Sequence, residues 1–164
     1  MNDILDPLAR RYRLNLITGV GELSYTACRD FVSRLNDDRP ARIIYISDFD
    51  LSGRSMPVAV ARKIEYELYR QGLEHDVQVR PIILTHAQCV QYRLPRTPIK
   101  ATDLRGGRFE QRFGEGATEL DALEALHPGE FARIVRREIL RYWNPDHEQE
   151  VREQIDEFQE ERRS

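Results

Sequence analysis

The sequence has no long apolar run and very few cysteines. No stretch of its 164 residues approaches the roughly 18–20 consecutive apolar side chains of a transmembrane helix, and the first 13 residues are too charged for a signal peptide. Cys28 and Cys89 have no cysteine or histidine partner at metal-ligand spacing. We therefore exclude transmembrane and secreted proteins, a disulfide framework and a structural zinc site, and expect a cytoplasmic protein with no membrane partner.

Lysine is almost absent as well. Only Lys63 and Lys100 are lysine, and the other 23 basic residues are arginine. The planar guanidinium group binds phosphate and carboxylate groups well, which favours a functional role. A GC-rich genome also raises the arginine content, and the sequence leaves both explanations open.

Charge is unevenly distributed along the chain, whose net charge is −3. Residues 1–85 carry 12 basic and 12 acidic side chains, whereas residues 86–113 carry six basic and two acidic ones. Residues 114–164 carry seven basic and fourteen acidic side chains. This pattern predicts a neutral body, a basic middle segment with weak affinity for DNA, and an acidic tail.

The apolar pattern predicts a small α/β domain. Short apolar runs predict strands at residues 14–18, 42–47 and 77–84. The intervening segments predict helices over residues 25–35 and 57–71, with a loop at 51–55 and a C-terminal cap at Gly72. Strands that alternate with helices pair in parallel, so we expect a small parallel sheet flanked by helices on both faces.

The pattern weakens after residue 85. Helices are predicted over residues 86–94, 118–126 and 128–143, and a frayed terminal helix over 145–163. Residues 95–116 combine prolines, glycines and arginines, which predicts a long, irregular, basic loop. We divide the chain into an α/β domain of residues 1–126, with its core at 14–85, and a helical C-terminal extension of residues 127–164.

Two carboxylates follow the strongest predicted strand. Asp48 and Asp50 occupy positions i and i+2, whose side chains point the same way along a strand, and ligands of open α/β sheets bind at the carboxyl ends of strands. Two carboxylates so close repel each other, and a divalent cation such as Mg²⁺ relieves that repulsion. The alternative is that Asp48 caps the loop and Asp50 caps the next helix.

Glu22 adds a third carboxylate to this picture. It follows the strand predicted at residues 14–18, so it could face the aspartates across the shared edge of the sheet. Glu22 with Asp48 and Asp50 would then form an acidic triad. The alternative is that Glu22 favours the start of the next helix through the helix dipole.

These residues resemble a known family. The segment IIYISDFDLSGRSM, preceded by LITGVGELSYTACRDFVSRL, resembles the Toprim domain, in particular that of the topoisomerase VI A subunit and its meiotic double-strand-break relatives. The resemblance covers residues 14–85, and residues 119–123 (ELDAL) resemble a further element of Toprim-like proteins. The positions that match the family pattern are Gly19, Gly21, Arg29, Asp48, Asp50, Ser52 and Gly53.

The resemblance implies a small Rossmann-like sheet of the Toprim type that binds Mg²⁺ or Mn²⁺ and acts on or binds DNA phosphodiesters. Asp48, Asp50 and Glu22 would be the metal ligands and catalytic residues. The arginines expected near phosphate or nucleic acid are Arg29, Arg54, Arg105, Arg108 and Arg112, and the glycines expected in turns are Gly19, Gly21 and Gly53. Because these relatives cut DNA with a tyrosine from a separate domain, a protein partner would supply the nucleophile in a larger assembly, and the chain would not be a complete topoisomerase alone.

One departure from the family decides between two functions. Toprim domains carry a glutamate on a first strand, which in the topoisomerase VI branch precedes the equivalent of residues 14–18. Here the 13 residues before that segment are polar and helix-like, without glutamate. A Glu22 carboxylate within about 5 Å of Asp50 favours an enzyme. A carboxylate pointing away favours an inactive, Toprim-derived interaction module.

A rival interpretation starts from the same aspartates. Asp-Phe-Asp-Leu-Ser after an apolar strand also resembles the first motif of haloacid-dehalogenase-type phosphatases, where the first Asp is the nucleophile and the second the general acid/base. That fold needs a lysine and an acidic pair on later strands. Lys63 and Lys100 do not follow such strands, so this interpretation is less favoured.

Overall fold

Seven helices and two strands make up the part of the chain that the structure describes. The structure is a computed structural model, and it describes residues 1–19, 22–35, 38–99, 106–146, 155–156 and 159. In chain order the elements are α1 (Asn2–Arg11), α2 (Tyr25–Val32), β1 (Ala41–Ile46), α3 (Leu51–Gln71), β2 (Val77–Ile83), α4 (His86–Gln91), α5 (Gly106–Phe113), α6 (Asp121–Leu126) and α7 (Glu130–Ile139). Within these residues no helix is both long and apolar enough to cross a membrane.

The two strands form a parallel sheet, as expected for strands joined by a helical crossover. Ala41 is paired with Val77, and the backbone pairing continues past the strand ends, where Ser47 and Leu84 contribute bonds of 2.7 Å. The carboxyl ends of both strands therefore lie at the same edge of the sheet. The prediction of an α/β fold with a parallel sheet flanked by helices is confirmed.

Apolar side chains cover both faces of this sheet, because successive residues of a strand point to opposite sides. One face is covered by α2 and α3, in a cluster of Cys28, Val32, Val60 and Ile64 with Ile43 and Tyr45. The other face carries a larger cluster that includes Phe49, Ile83, Phe131, Ile134, Val135 and Ile139, with Ile44 and Ile46 against it. The last four buried residues belong to α7, which therefore shares the core of the sheet.

Residues 14–18 do not form the predicted strand. Helix α1 ends at Arg11, and Arg13, two residues later, has the left-handed conformation (φ 53°). The amide of Leu14 donates to the carbonyl of Ala9 at 2.8 Å, which completes a Schellman C-cap. Leu14 and Ile17 are 41% and 48% exposed, and no strand among the described residues pairs with this segment. A short apolar run forms a strand only where a partner strand meets it.

Helix α3 begins six residues before the predicted start at Pro57. Asp50 is its N-cap, so residues 51–55 are helical and not a loop. Pro57 has no N–H to donate to the carbonyl of Gly53 one turn earlier, and the hydroxyl of Ser47 donates to that carbonyl instead, at 3.0 Å. This substitute bond lets a helix continue through a proline. Gly72 closes the helix in the left-handed conformation, as predicted.

The expected basic loop over residues 95–116 is only partly irregular. Its second half contains α5, and residues 100–105 lie outside the described part of the chain. Of the terminal helix predicted over residues 145–163, residues 155, 156 and 159 are helical, and most of the remainder lies outside the described part.

Candidate acidic site and arginine pocket

The two aspartates of the sequence motif lie at the carboxyl end of β1. The side chain of Asp50 accepts a hydrogen bond from the amide of Gly53 at 2.5 Å, which satisfies one of the free N–H groups at the start of α3. A side chain at Gly53 would overlap the carbonyl oxygen of Asp48, so this tight turn requires glycine. The local fold therefore fixes both aspartates on one short turn.

A second segment reaches this turn through a short antiparallel bridge. The amide of Phe49 donates to the carbonyl of Thr118 at 2.9 Å, and the amide of Thr118 donates back to Phe49 at 3.0 Å. Antiparallel pairing of these two residues places Glu119 opposite Asp48. The Asp48 carboxylate also accepts from the amide of Leu120 at 2.7 Å. The bridge thus brings a third carboxylate to the end of β1.

The carboxylates of Asp48, Asp50 and Glu119 interact electrostatically, and we call these three residues the acidic site. The negative charge of Asp48 raises the pKa of Glu119 above its usual value, with smaller contributions from partial burial, Asp121 and Asp50. Among the described residues, no arginine or lysine forms an ion pair with these carboxylates. No group of three acidic, histidine or cysteine side chains in this part of the chain is arranged so that it could hold a metal ion. Within the described residues, the negative charge of the acidic site is therefore not compensated by an ion pair.

Glu22 does not join the acidic site. Its carboxylate forms an ion pair with Lys63, whose ammonium also donates to the carbonyl of Leu23 at 2.9 Å. Lys63 lies 13 positions after Asp50 on α3, about 20 Å along the helix axis at 1.5 Å per residue, which is more than a lysine side chain spans. The expected approach of Glu22 to within about 5 Å of Asp50 is thus excluded. Glu119, and not Glu22, is the third carboxylate near the aspartates.

An aromatic cluster separates the acidic site from a basic one. The ring of Phe49, which lies between the two aspartates in sequence, is fully buried. Its centroid lies 5.3 Å from the ring of Phe109 and 5.6 Å from that of Phe113, both on α5. The ring of His86 contacts Phe49 and Phe113 as well, at 5.8 and 5.4 Å. This packing holds α5 against the start of α3.

Three arginines share one cavity between α3 and α5. The cavity has a volume of about 560 Å³, and we call it the arginine pocket; its walls are Leu51, Arg54, Ser55, Arg108, Phe109, Arg112 and Phe113. The guanidinium of Arg54 lies 4.3 Å from the centroid of the Phe113 ring, which is within cation–π distance. The expected nucleic-acid residues Arg54, Arg108 and Arg112 are thus brought together.

The other expected site residues lie elsewhere. Arg29 is on α2, where it pairs with its neighbour Asp30 at 3.4 Å, and it does not line the arginine pocket. Gly19 has no close neighbour that would exclude a side chain. Gly21 and Arg105 lie outside the described residues.

Sequence reasoning assigns no site role to Glu119, Phe109 or Phe113. For Glu119 a signal was present, since residues 119–123 stood out as a Toprim-like element, but nothing local indicated that they meet the end of β1. The aromatic residues alternate with Arg108 and Arg112 in a helix. That interleaving of rings and basic residues is typical of nucleic-acid surfaces.

Comparisons with family models, with curated proteins and with solved structures find no match for this chain. The molecule is thus defined by its own geometry: an α/β protein with an acidic site at the carboxyl end of a parallel sheet and an arginine pocket beside it.

Proposed function

We propose that this chain is a Toprim-like domain that binds a divalent cation, Mg²⁺ or Mn²⁺, at the acidic site and a nucleic-acid phosphodiester beside it. The observation that carries the proposal is the Phe49–Thr118 bridge, because it sets Glu119 opposite Asp48 at the carboxyl end of β1. Ligands of open α/β sheets bind at this end of the strands.

The donor set suits a hard cation. Asp48, Asp50 and Glu119 offer carboxylate oxygens, the ligands that Mg²⁺ prefers together with water and phosphate oxygens. Asp48 and Asp50 each use one oxygen to accept a backbone N–H, which leaves the second oxygen of each for a ligand. The raised pKa of Glu119 reflects the repulsion that a cation would relieve.

In this proposal the carboxylates hold the cation and the arginines bind the phosphate. A bound cation would polarise a phosphoryl oxygen and stabilise charge on a leaving oxygen. Arg54, in the first turn of α3, would bind the phosphate, with Arg108 and Arg112 as further donors. A protein partner supplies the nucleophile, as the Toprim resemblance implies.

Metal binding is tested by the melting temperature of the chain with and without Mg²⁺ or Mn²⁺. The wild type should melt at a higher temperature with metal, because a ligand that binds only the folded state stabilises it by mass action. The double variant Asp48→Asn/Asp50→Asn should lose this shift. It should also be at least as stable as the wild type without metal, since asparagine keeps the oxygens that accept the two backbone N–H groups while the repulsion disappears.

Two single variants complete this test. Glu119→Gln should reduce the metal-induced shift, and Glu65→Gln, on the exposed face of α3, should keep it in full. If the double variant retains the whole shift, the acidic site does not bind the metal and the proposal fails.

A second candidate is the inactive, Toprim-derived interaction module. It is favoured by the position of Glu22, which pairs with Lys63 away from the aspartates, the arrangement that the sequence criterion assigns to this module. The local roles of the aspartates favour it too, since Asp50 caps α3 and Asp48 caps the loop at Leu120. The metal-binding proposal therefore depends on Glu119 in place of Glu22. If neither Mg²⁺ nor Mn²⁺ changes the melting temperature of the wild type, this candidate is supported. The same pairing engages Lys63, one of the two lysines of the chain that could supply the lysine a haloacid-dehalogenase-type phosphatase needs.

A further inference from the structure

We propose that the arginine pocket binds an unpaired nucleotide, so that the nucleic acid bound by this chain is single-stranded. The inference rests on the proposed function, because it names the substrate class of the same region. It is carried by the composition of the arginine pocket, its accessibility and its distance from the acidic site along the chain.

Within the part of the chain that the structure describes, no carboxylate neutralises the positive charge of the pocket. Among the described residues, no carboxylate pairs with Arg54, Arg108 or Arg112, and all three are exposed. Other arginines of the chain are paired with carboxylates, namely Arg42, Arg70, Arg80, Arg133 and Arg141. Three unpaired guanidinium groups around one cavity favour an anionic ligand, and their planar shape matches phosphate.

The pocket also offers flat surfaces, which a phosphate alone does not need. Phe109 is buried, and the half-buried ring of Phe113 has the guanidinium carbons of Arg54 and Arg112 over it, 4.3 and 5.2 Å from its centroid. The flat surface open to a ligand is therefore the exposed guanidinium group of Arg54, which Phe113 supports from beneath. Nucleobases stack on aromatic rings and on arginine planes. A nucleotide combines a phosphate with a flat aromatic group and so matches both features of the pocket.

The arginine pocket is an open groove of about 560 Å³, which has room for one nucleotide with part of it left in solvent. In a duplex each base is stacked between its neighbours, so its flat face is not available to Phe113 or Arg54. An unpaired base has that face free. The arginine pocket therefore favours a single strand over a duplex.

The position of the pocket links it to the acidic site. Leu51, in the pocket wall, follows Asp50 directly, and Arg54 follows within the same helical turn, with its amide bonded to the Asp50 carbonyl at 3.2 Å. A strand anchored by one base in the arginine pocket would thus carry a neighbouring phosphate past the acidic site.

The test measures fluorescence anisotropy of a labelled oligothymidylate with the full chain, at low salt and in EDTA. The absence of metal separates this test from that of the acidic site. We expect the single strand to bind more tightly than a duplex of equal length and than an abasic oligomer with the same number of phosphates. Arg54→Gln and Phe113→Leu should each weaken binding about fivefold to 150-fold, the range for loss of one base stack. Arg62→Gln, at an exposed arginine two turns further along α3, is the matched control and should bind as the wild type does.

Several outcomes would overturn the inference. Equal affinity for the abasic oligomer would mean that only phosphate is recognised, and the proposed function would stand without it. Equal affinity for the duplex, or displacement of the strand by polyglutamate of equal charge, would point to duplex DNA or to an acidic protein instead. Phe113 packs on Phe49, so Phe113→Leu is interpreted only if it melts cooperatively. Arg54→Gln changes an exposed side chain on the outside of that cluster and removes no buried ring, so its unchanged affinity would by itself reject the inference.

Discussion

The most unusual single residue of the chain is Glu67, a fully buried carboxylate on α3. It accepts hydrogen bonds from the hydroxyl of Tyr25, from Arg70 at 2.9 Å and from Gln71 at 3.1 Å. These bonds favour the charged form, and Arg70 and Tyr25 lower the pKa of Glu67 to about 2. Tyr25 is the first residue of α2, so the carboxylate joins two helices as well as satisfying its own charge.

This lowered pKa predicts acid lability. A carboxylate with a folded-state pKa of about 2, below its usual value of 4.5, stabilises the fold above pH 4.5, and this contribution is lost as the pH falls towards 2. Glu67→Gln should be less stable than the wild type at neutral pH and should lose less stability over that interval. Urea unfolding at a series of pH values measures both effects.

The control for this prediction lies on the same helix. Glu65→Gln changes an exposed carboxylate and should leave the slope of stability against pH unchanged. A Glu67→Gln profile parallel to that of the wild type would mean that Glu67 does not titrate with folding. The contacts with Arg70 and Gln71 lie at i+3 and i+4 and could be read from the sequence, whereas Tyr25 is 42 positions away and could not.

At the scale of the element, the first turns of α3 are stabilised by a side chain that lies outside the helix. Its carbonyl at Gly53 is left without an amide donor by Pro57, and the hydroxyl of Ser47 fills the gap. Ser47 is the first residue after β1, so the strand and the helix are joined at the turn that carries the aspartates.

Ser47→Ala should therefore destabilise the protein by about 1–2 kcal/mol, because the carbonyl of Gly53 loses its donor. In a Pro57→Ala background the restored amide can donate to that carbonyl, so the cost of Ser47→Ala should be smaller there. A double-mutant cycle of unfolding free energies measures this coupling. Additive effects of the two substitutions would contradict it.

The elements that the sequence predicted well are those whose signals are local. The β-branched run of β1 and that of β2 gave their strands to within one residue, and Ser24 and Gly72 are the caps that their residue types predict. The segment 14–18 carries the same kind of run, but its partner strand cannot be read from local composition. Helix α5 was missed because its glycines and arginines resemble a loop, while what holds it is the contact of Phe109 and Phe113 with Phe49.

At the scale of the whole molecule, one core joins the two ends of the described chain. Tyr12, just after α1, belongs to the same buried cluster as Phe131 of α7, and its ring meets that of Trp143 edge-on at 5.3 Å. The predicted boundary between residues 126 and 127 thus falls inside a packed region. Such packing favours unfolding as one cooperative unit.

A truncation far from Trp143 tests this cooperativity. Val60→Ala, in the cluster between the sheet and α3, should destabilise the protein by about 1–3 kcal/mol. Because Trp143 is the sole tryptophan, its fluorescence reports on the region of α7. The denaturation midpoints from fluorescence and from far-ultraviolet circular dichroism should shift equally. Separate transitions would show that α7 unfolds independently.

The candidate site divides in the same way between local and distant signals. The aspartates were predicted because Asp-x-Asp follows a clear strand, and the arginines because they cluster in one basic segment. Glu22 was expected at the acidic site because residues 14–18 were expected to be a strand, so the two errors have one cause. The position of Glu119 depends on the pairing of Phe49 with Thr118, 69 positions apart, and nothing in the local sequence indicates that pairing.

The pairing of Phe49 with Thr118 also affects the rate of folding. The acidic site forms only after a loop of about 70 residues has closed. Contacts between such distant segments slow folding, because chain entropy is lost before the contacts can stabilise the structure. Bringing Glu119 up to Asp48 adds a repulsion at this same step. A cation that binds the three carboxylates would offset this repulsion. It would speed folding if the loop is closed in the transition state, and would slow unfolding if the loop closes later.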